Sequence, residues 1–133
     1  MADEEIVVDP KTGGMKGEKL SQLGWADPLA LIEVGKVFGF GAKKYAPTNY
    51  RKGYRWSLSV NALERHLLLW LSGESRDQES NLLHTAHIAW HSLCLLCFEL
   101  RGLGSDDVRW LYDDVENKTA HEQLEFPFNK KGA

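Results

Sequence analysis

Apolar residues recur every three or four positions along most of this chain, which is the period of a helix with one buried face. Leu29, Leu31, Ile32, Val34, Val37 and Phe38 predict a first helix, with Asp27 as its cap and Pro28 in its first turn, running towards Lys44. Gly35, Gly39 and Gly41 each cost a helix about 1 kcal/mol relative to alanine, so its C-terminal end is expected to be irregular. Val60, Leu63, Leu67, Trp70 and Leu71 predict a second helix, capped by Ser57 or Ser59 and closed by Gly73. A loop over 73–80 then turns the chain into a third helix from about residue 81 to 101. That helix is apolar nearly all round and is expected to be the buried centre of a bundle. Ser105-Asp106-Asp107 signals a fourth helix with Val108, Leu111, Tyr112 and Val115 on one stripe. Before Asp9-Pro10, the run Ile6-Val7-Val8 reads as an extended arm or a short edge strand.

This pattern predicts an all-α antiparallel helical bundle with an extended N-terminal arm. With 133 residues and 43% hydrophobic content, the chain fits one domain. Residues 1–24 form the arm and a phosphate-contacting segment, 27–101 the core bundle, and 105–133 a C-terminal helix and tail, in which Phe126-Pro127-Phe128 docks on the body or on a second subunit. A buried third helix in so short a chain also predicts a homo-oligomer. No apolar run reaches the roughly 20 residues of a membrane span, and the acidic start does not suit a secretory leader, so a cytoplasmic protein is expected.

Charge refines the picture. The formal net charge of -3 argues against a nucleic-acid binder, but the mean hides an asymmetry. Residues 10–66 carry ten Lys/Arg against four Asp/Glu, and residues 67–133 carry six against eleven. A basic half and an acidic half are what a phosphate bound with a cation needs. Cys94 and Cys97 sit in the run Leu93-Cys94-Leu95-Leu96-Cys97-Phe98 and read as small hydrophobes.

The candidate chemistry matches that division. His84, His87 and His91 fall at i, i+3 and i+7, within about 60° of one another around a helix. His66 lies about as far before the 73–80 turn as His84 and His87 lie after it, so a hairpin brings the three to similar height. Glu74, Asp77 and Glu79 crown the same end, giving a His/carboxylate group able to hold a divalent metal. Each histidine is alternatively a hydrogen-bonded core residue, and His91 taken alone favours that reading. Glu33, inside an apolar span, either faces water or completes the metal site from the opposite wall. Glu64 points away from His66. Gly13-Gly14 with Lys16 and Lys19 resembles a phosphate-contacting segment without the full spacing of a P-loop. Lys43, Lys44, Arg51, Lys52, Arg55 and Arg65 extend the positive inventory. Tyr45, Tyr50, Tyr54 and Trp56 offer ring faces for a base, or else anchor the loop.

Taken in order, Gly13-Gly14-x-Lys16-x-x-Lys19, Gly41-Ala42-x-Lys44-Tyr45, Asn49, Trp56-Ser57, Arg65-His66, Gly73-Glu74, Asp77-x-Glu79-Ser80 and His84-x-x-His87 resemble the phage dATP/dGTP diphosphohydrolase N-terminal domain family. The match covers roughly two thirds of the chain. The family looks like a relative of the MazG-type all-α pyrophosphohydrolases, helical oligomers whose acidic side chains hold Mg²⁺ or Mn²⁺ on a triphosphate. The resemblance implies hydrolysis of a purine deoxynucleoside triphosphate to the monophosphate and pyrophosphate, in the host cytoplasm if the chain is phage-encoded. A MazG-like site shows Glu-x-x-Glu on one helix and Glu-x-x-Asp on the next. Here the hairpin offers Glu64, His66, His84 and His87, with acids in the loop, and the imidazoles admit another transition metal.

On that reading Glu33, His66, Glu74, Asp77, Glu79, His84 and His87 are the metal-site candidates. Glu74 or Glu79 activates water, and Arg65 neutralises charge at the phosphates. Gly14, Lys16, Lys19, Lys43, Lys44, Tyr45, Asn49 and Trp56 bind the nucleotide, Asn49 by pairing with a purine edge. A second reading, a non-catalytic protein that sequesters a signalling nucleotide, needs the basic and aromatic groups but no organised metal site.

Overall fold

A computed structural model describes residues 4–109. Two compact units divide the chain, one ending at Ile32 and the other beginning at Glu33.

The first unit holds a hairpin. β1 (Glu4–Val8) pairs antiparallel with β2 (Met15–Lys19), placing Ile6 opposite Gly17 and Val8 opposite Met15. The turn is built by Asp9, whose Oδ1 accepts from the amides of Lys11 (2.8 Å) and Thr12 (2.9 Å). The Thr12 and Lys11 amides hold the Asp9 carboxyl below its ordinary range. The all-α expectation is therefore corrected: a two-stranded antiparallel sheet accompanies the helices, and the fold is mixed α and β. The sequence concealed the second strand because Met15-Lys16-Gly17-Glu18-Lys19 lacks apolar alternation, so its glycines and lysines read as a phosphate loop.

Three helices follow. α1 (Pro28–Lys44) begins where Asp27 Oδ2 accepts from the Ala30 amide at 3.2 Å, and it runs unbroken through all three of its interior glycines. α2 (Ser57–Leu71) and α3 (His84–Arg101) form the antiparallel hairpin, shown by residue pairs that descend together: His66 meets His84, Ser59 meets His91, and Tyr54 meets Cys94 and Phe98. α3 starts three residues later than its periodicity suggests. Asn81 is held at φ 60°, and Asp77 and Leu82 close a backbone bond of 2.8 Å across the turn.

The cap of α2 also differs from expectation. Ser57 is its first residue, and Asp107 supplies the acceptors: Oδ1 takes the Ser57 amide (2.8 Å) and Oδ2 the Ser57 hydroxyl (2.5 Å). These bonds hold the Asp107 carboxyl below its usual range. Ser105 accepts from the Trp56 amide at 2.9 Å, and Leu103 accepts from the Trp56 indole at 2.9 Å. The crossing is tight enough to need glycine: a Cβ on Gly104, whose φ is +68°, would collide with the Tyr54 carbonyl. Ser105 thus bridges to Arg55, while Asp106 Oδ1 accepts from the amides of Val108 (3.1 Å) and Arg109 (3.0 Å), as a helix cap does. The remainder of the expected fourth helix and the Phe126-Pro127-Phe128 tail lie outside the described residues.

The core is small and partly polar. Val37, Ala86, Cys94 and Phe98 are buried, together with Ser59, His66, His84 and His87. The apolar pattern of α3 predicts the buried centre of the bundle. Instead the helix buries its histidine face, while Leu93, Leu96 and Leu100 are exposed, Leu100 at 77%. Among the described residues, no helix is long and apolar enough to cross a membrane.

Candidate functional site

The α2–α3 hairpin gathers donors at its closed end. One ligand atom from each of His66, Asp77 and His84 lies within 4.8 Å of the other two. His66 Nδ1 and His84 Nδ1 face each other at 2.8 Å, so without a cation one of them must carry the bridging proton. The other nitrogen of His84 decides which. His84 Nε2 meets Glu74 Oε2 at 3.0 Å and donates to that carboxylate, which leaves His84 Nδ1 as acceptor and His66 Nδ1 as donor. A cation binding both Nδ1 lone pairs would shift the His66 proton to its Nε2.

The turn fixes the carboxylate. Asp77 Oδ2 accepts from the Ser80 amide (2.9 Å) and hydroxyl (3.0 Å), and His87 Nε2 lies 2.7 Å from that hydroxyl and 4.0 Å from Asp77 Oδ2. Burial opposes ionisation of Asp77. The Ser80 bonds, with the nearby His87 and His66, outweigh it and hold the carboxyl below its ordinary range. The rings of His66 and His87 stack at 4.3 Å, and His91 continues the row 6.1 Å from His66. Burial, reinforced by neighbouring imidazoles, lowers His66 and His91 to about 4 each and lowers His87 as well. These three are neutral at pH 7, the form that ligates metal.

The arrangement suits a divalent ion. Two imidazole nitrogens and an ionised carboxylate converge, and Glu74 behind His84 is the outer partner that orients a metal-bound imidazole. Such a mixed N/O set favours Mn²⁺, Zn²⁺ or a related transition ion over Mg²⁺, which prefers oxygen alone.

Other candidates fall elsewhere. Glu33 pairs with Lys36 at 2.7 Å and is not one of the converging group. Glu79, at the rim of the turn, is 59% exposed and pairs with Lys44 Nζ at 2.7 Å, which raises the lysine's pKa. Arg65 is exposed, and its charge contributes to the lowered values of His66, His87 and His91. Gly14 closes the hairpin turn, and Lys16 and Lys19 stand exposed on β2, all in the first unit; Lys43 and Lys44 end α1 in the second. Tyr45 and Asn49 line a cavity of about 810 Å³ within the second unit. Trp56 does not line it: its indole serves Leu103, and the Arg109 guanidinium lies over its ring at 5.2 Å.

Sequence reasoning missed two contributors. Trp90, in the cavity wall, carries no periodic signal that separates it from a core residue. Ser59, assigned to a cap, is fully buried and binds both Tyr54 Oη (2.6 Å) and His91 Nδ1 (3.0 Å).

The helical hairpin thus carries two buried histidines and a half-buried carboxylate at its turn, beside an aromatic-lined cavity. The chain belongs to the family described as dATP/dGTP diphosphohydrolase, N-terminal, whose model matches residues 10–108. It is 31% identical over 100 residues to a Salmonella phage PMBT28 protein named dATP/dGTP diphosphohydrolase. That alignment covers 72% of this chain and 34% of the relative, so the chain spans about a third of the relative's length. No solved structure matches.

Proposed function

We propose that this chain takes part in metal-dependent hydrolysis of purine deoxynucleoside triphosphates, releasing the monophosphate and pyrophosphate. The observation that carries the reading is the convergence of His66, Asp77 and His84 at a turn rimmed by further acids. The family and the name of the phage relative support the substrate class.

His66, His84 and Asp77 would hold the cation; Glu74 keeps His84 in the required tautomer, and Ser80 keeps Asp77 in place. A bound divalent ion supplies charge neutralisation at the phosphates and a more acidic water. Lys44 leaves Glu79 for the incoming phosphates, and the freed Glu79 carboxylate takes the proton of the attacking water. Water oxygen bonds to the α-phosphorus, the bond to the α–β bridging oxygen breaks, and pyrophosphate leaves with that electron pair. Arg65 and Lys43 add positive charge for the triphosphate.

A panel of deoxynucleoside triphosphates, with and without Mn²⁺ and followed by ³¹P NMR, tests this. The expected result is dAMP or dGMP with pyrophosphate, only when metal is present. Tight nucleotide binding without turnover in any metal would favour sequestration instead, a role the cavity could serve without the histidine group.

A further inference from the structure

The cavity has a chemical character of its own. Phe38, Tyr50 and Trp90 form a closed triangle of edge-to-face contacts, with centroids 5.7, 5.8 and 6.0 Å apart, which fixes three rings as one wall. Among the described residues no carboxylate lines the cavity, and the one formally charged lining group is Arg51. Its volume falls in the roughly 300–1,000 Å³ range of small-molecule sites. Rings without acids, with a guanidinium at hand, suit a flat neutral heterocycle carrying an anionic substituent.

Two further observations point to a ligand. Asn49, also in the lining, offers an amide donor and acceptor side by side, the pattern that pairs with the edge of an adenine. Thr48 beside it holds φ 58°, a left-handed conformation costly for a β-branched residue and typical of ligand-clamping loops. The cavity also adjoins the histidine group: His91 lines it, and its ring stands 6.1 Å from that of His66.

We propose that this cavity is the base site, in which a purine packs on the Phe38–Tyr50–Trp90 wall while Asn49 reads its edge. The nucleotide's identity rests on the hydrolase reading, but the base site itself does not need the metal. Asn49 then sets base preference, and Trp56 has no part in it.

Calorimetry with deoxyadenosine monophosphate in EDTA tests the proposal apart from catalysis, with thymidine monophosphate and base-free deoxyribose 5-phosphate as comparisons. The purine nucleotide should bind, the pyrimidine about tenfold more weakly, and the sugar phosphate not detectably. Asn49→Ala, which loses one hydrogen bond, and Trp90→Leu, which loses a ring face, should each weaken purine binding roughly five- to tenfold, with an unchanged helical signal. Trp70→Phe, on the exposed side of α2, should bind as the wild type does. Equal binding of purine and pyrimidine, binding unaltered in both cavity variants, or no binding of the purine nucleotide would overturn the base site. Purine binding that responds to the variants without hydrolysis in any metal would refute the hydrolase reading and leave the base site standing.

Discussion

His66 and His91 show how much of this molecule turns on the protonation of single side chains. Both titrate near 4 in the fold, against an ordinary value of 6.5, because burial disfavours the imidazolium and neighbouring rings repel it. The unfolded chain therefore binds more protons than the native one between these values. Stability should be highest above about pH 6.5 and fall as pH drops towards 4. Urea midpoints at pH 7 and pH 4.5 check this, and His91→Gln should flatten the slope; a stability indifferent to pH would contradict the buried neutral row. The shared face of His84, His87 and His91 was legible from spacing alone. Which nitrogen meets which partner was not, because that depends on Ser59, Glu74 and Ser80 arriving from elsewhere in the chain.

Elements were legible where one stretch of sequence sufficed. Asp27 caps α1 as local rules require, and the α2–α3 hairpin follows from periodicity. Local rules fell short where the partner is remote: Asp106 accepts from the Val108 and Arg109 amides as a local cap does, but Asp107 beside it caps α2 fifty residues earlier. Asp107→Ala should lower the urea midpoint, as the loss of a helix cap does. Asp107→Asn should recover most of that, since its side-chain oxygen still accepts from the Ser57 amide. Gly104→Ala should cost more, because it adds a collision with the Tyr54 carbonyl to a left-handed backbone. Similar midpoints for Gly104→Ala and the wild type would contradict the close crossing of 53–54 with 104.

At the scale of the whole molecule, exposed leucines and buried histidines invert the usual division. Leu93, Leu96 and Leu100 recur along α3 at helical spacing, and Leu68 and Leu71 are each 65% exposed on α2. Apolar stripes of this kind seek a partner surface, and the expectation is a homo-oligomer through this face. Light scattering at micromolar concentration should show more than one chain per particle, and Leu96→Glu with Leu100→Glu should shift it towards the monomer. Inward, the same hairpin spends its core on a polar group, an arrangement hard to explain by stability alone and readily explained by a bound ion. The most direct test is dATP turnover as a function of Mn²⁺ for the wild type and for Asp77→Asn, which keeps the side chain's size but removes the ligand charge. Turnover to dAMP and pyrophosphate should rise with Mn²⁺ in the wild type and fall on the order of a hundredfold in the variant, with its helical signal intact. Turnover undiminished in Asp77→Asn, or wild-type turnover persisting in EDTA, would contradict metal-dependent hydrolysis at this site.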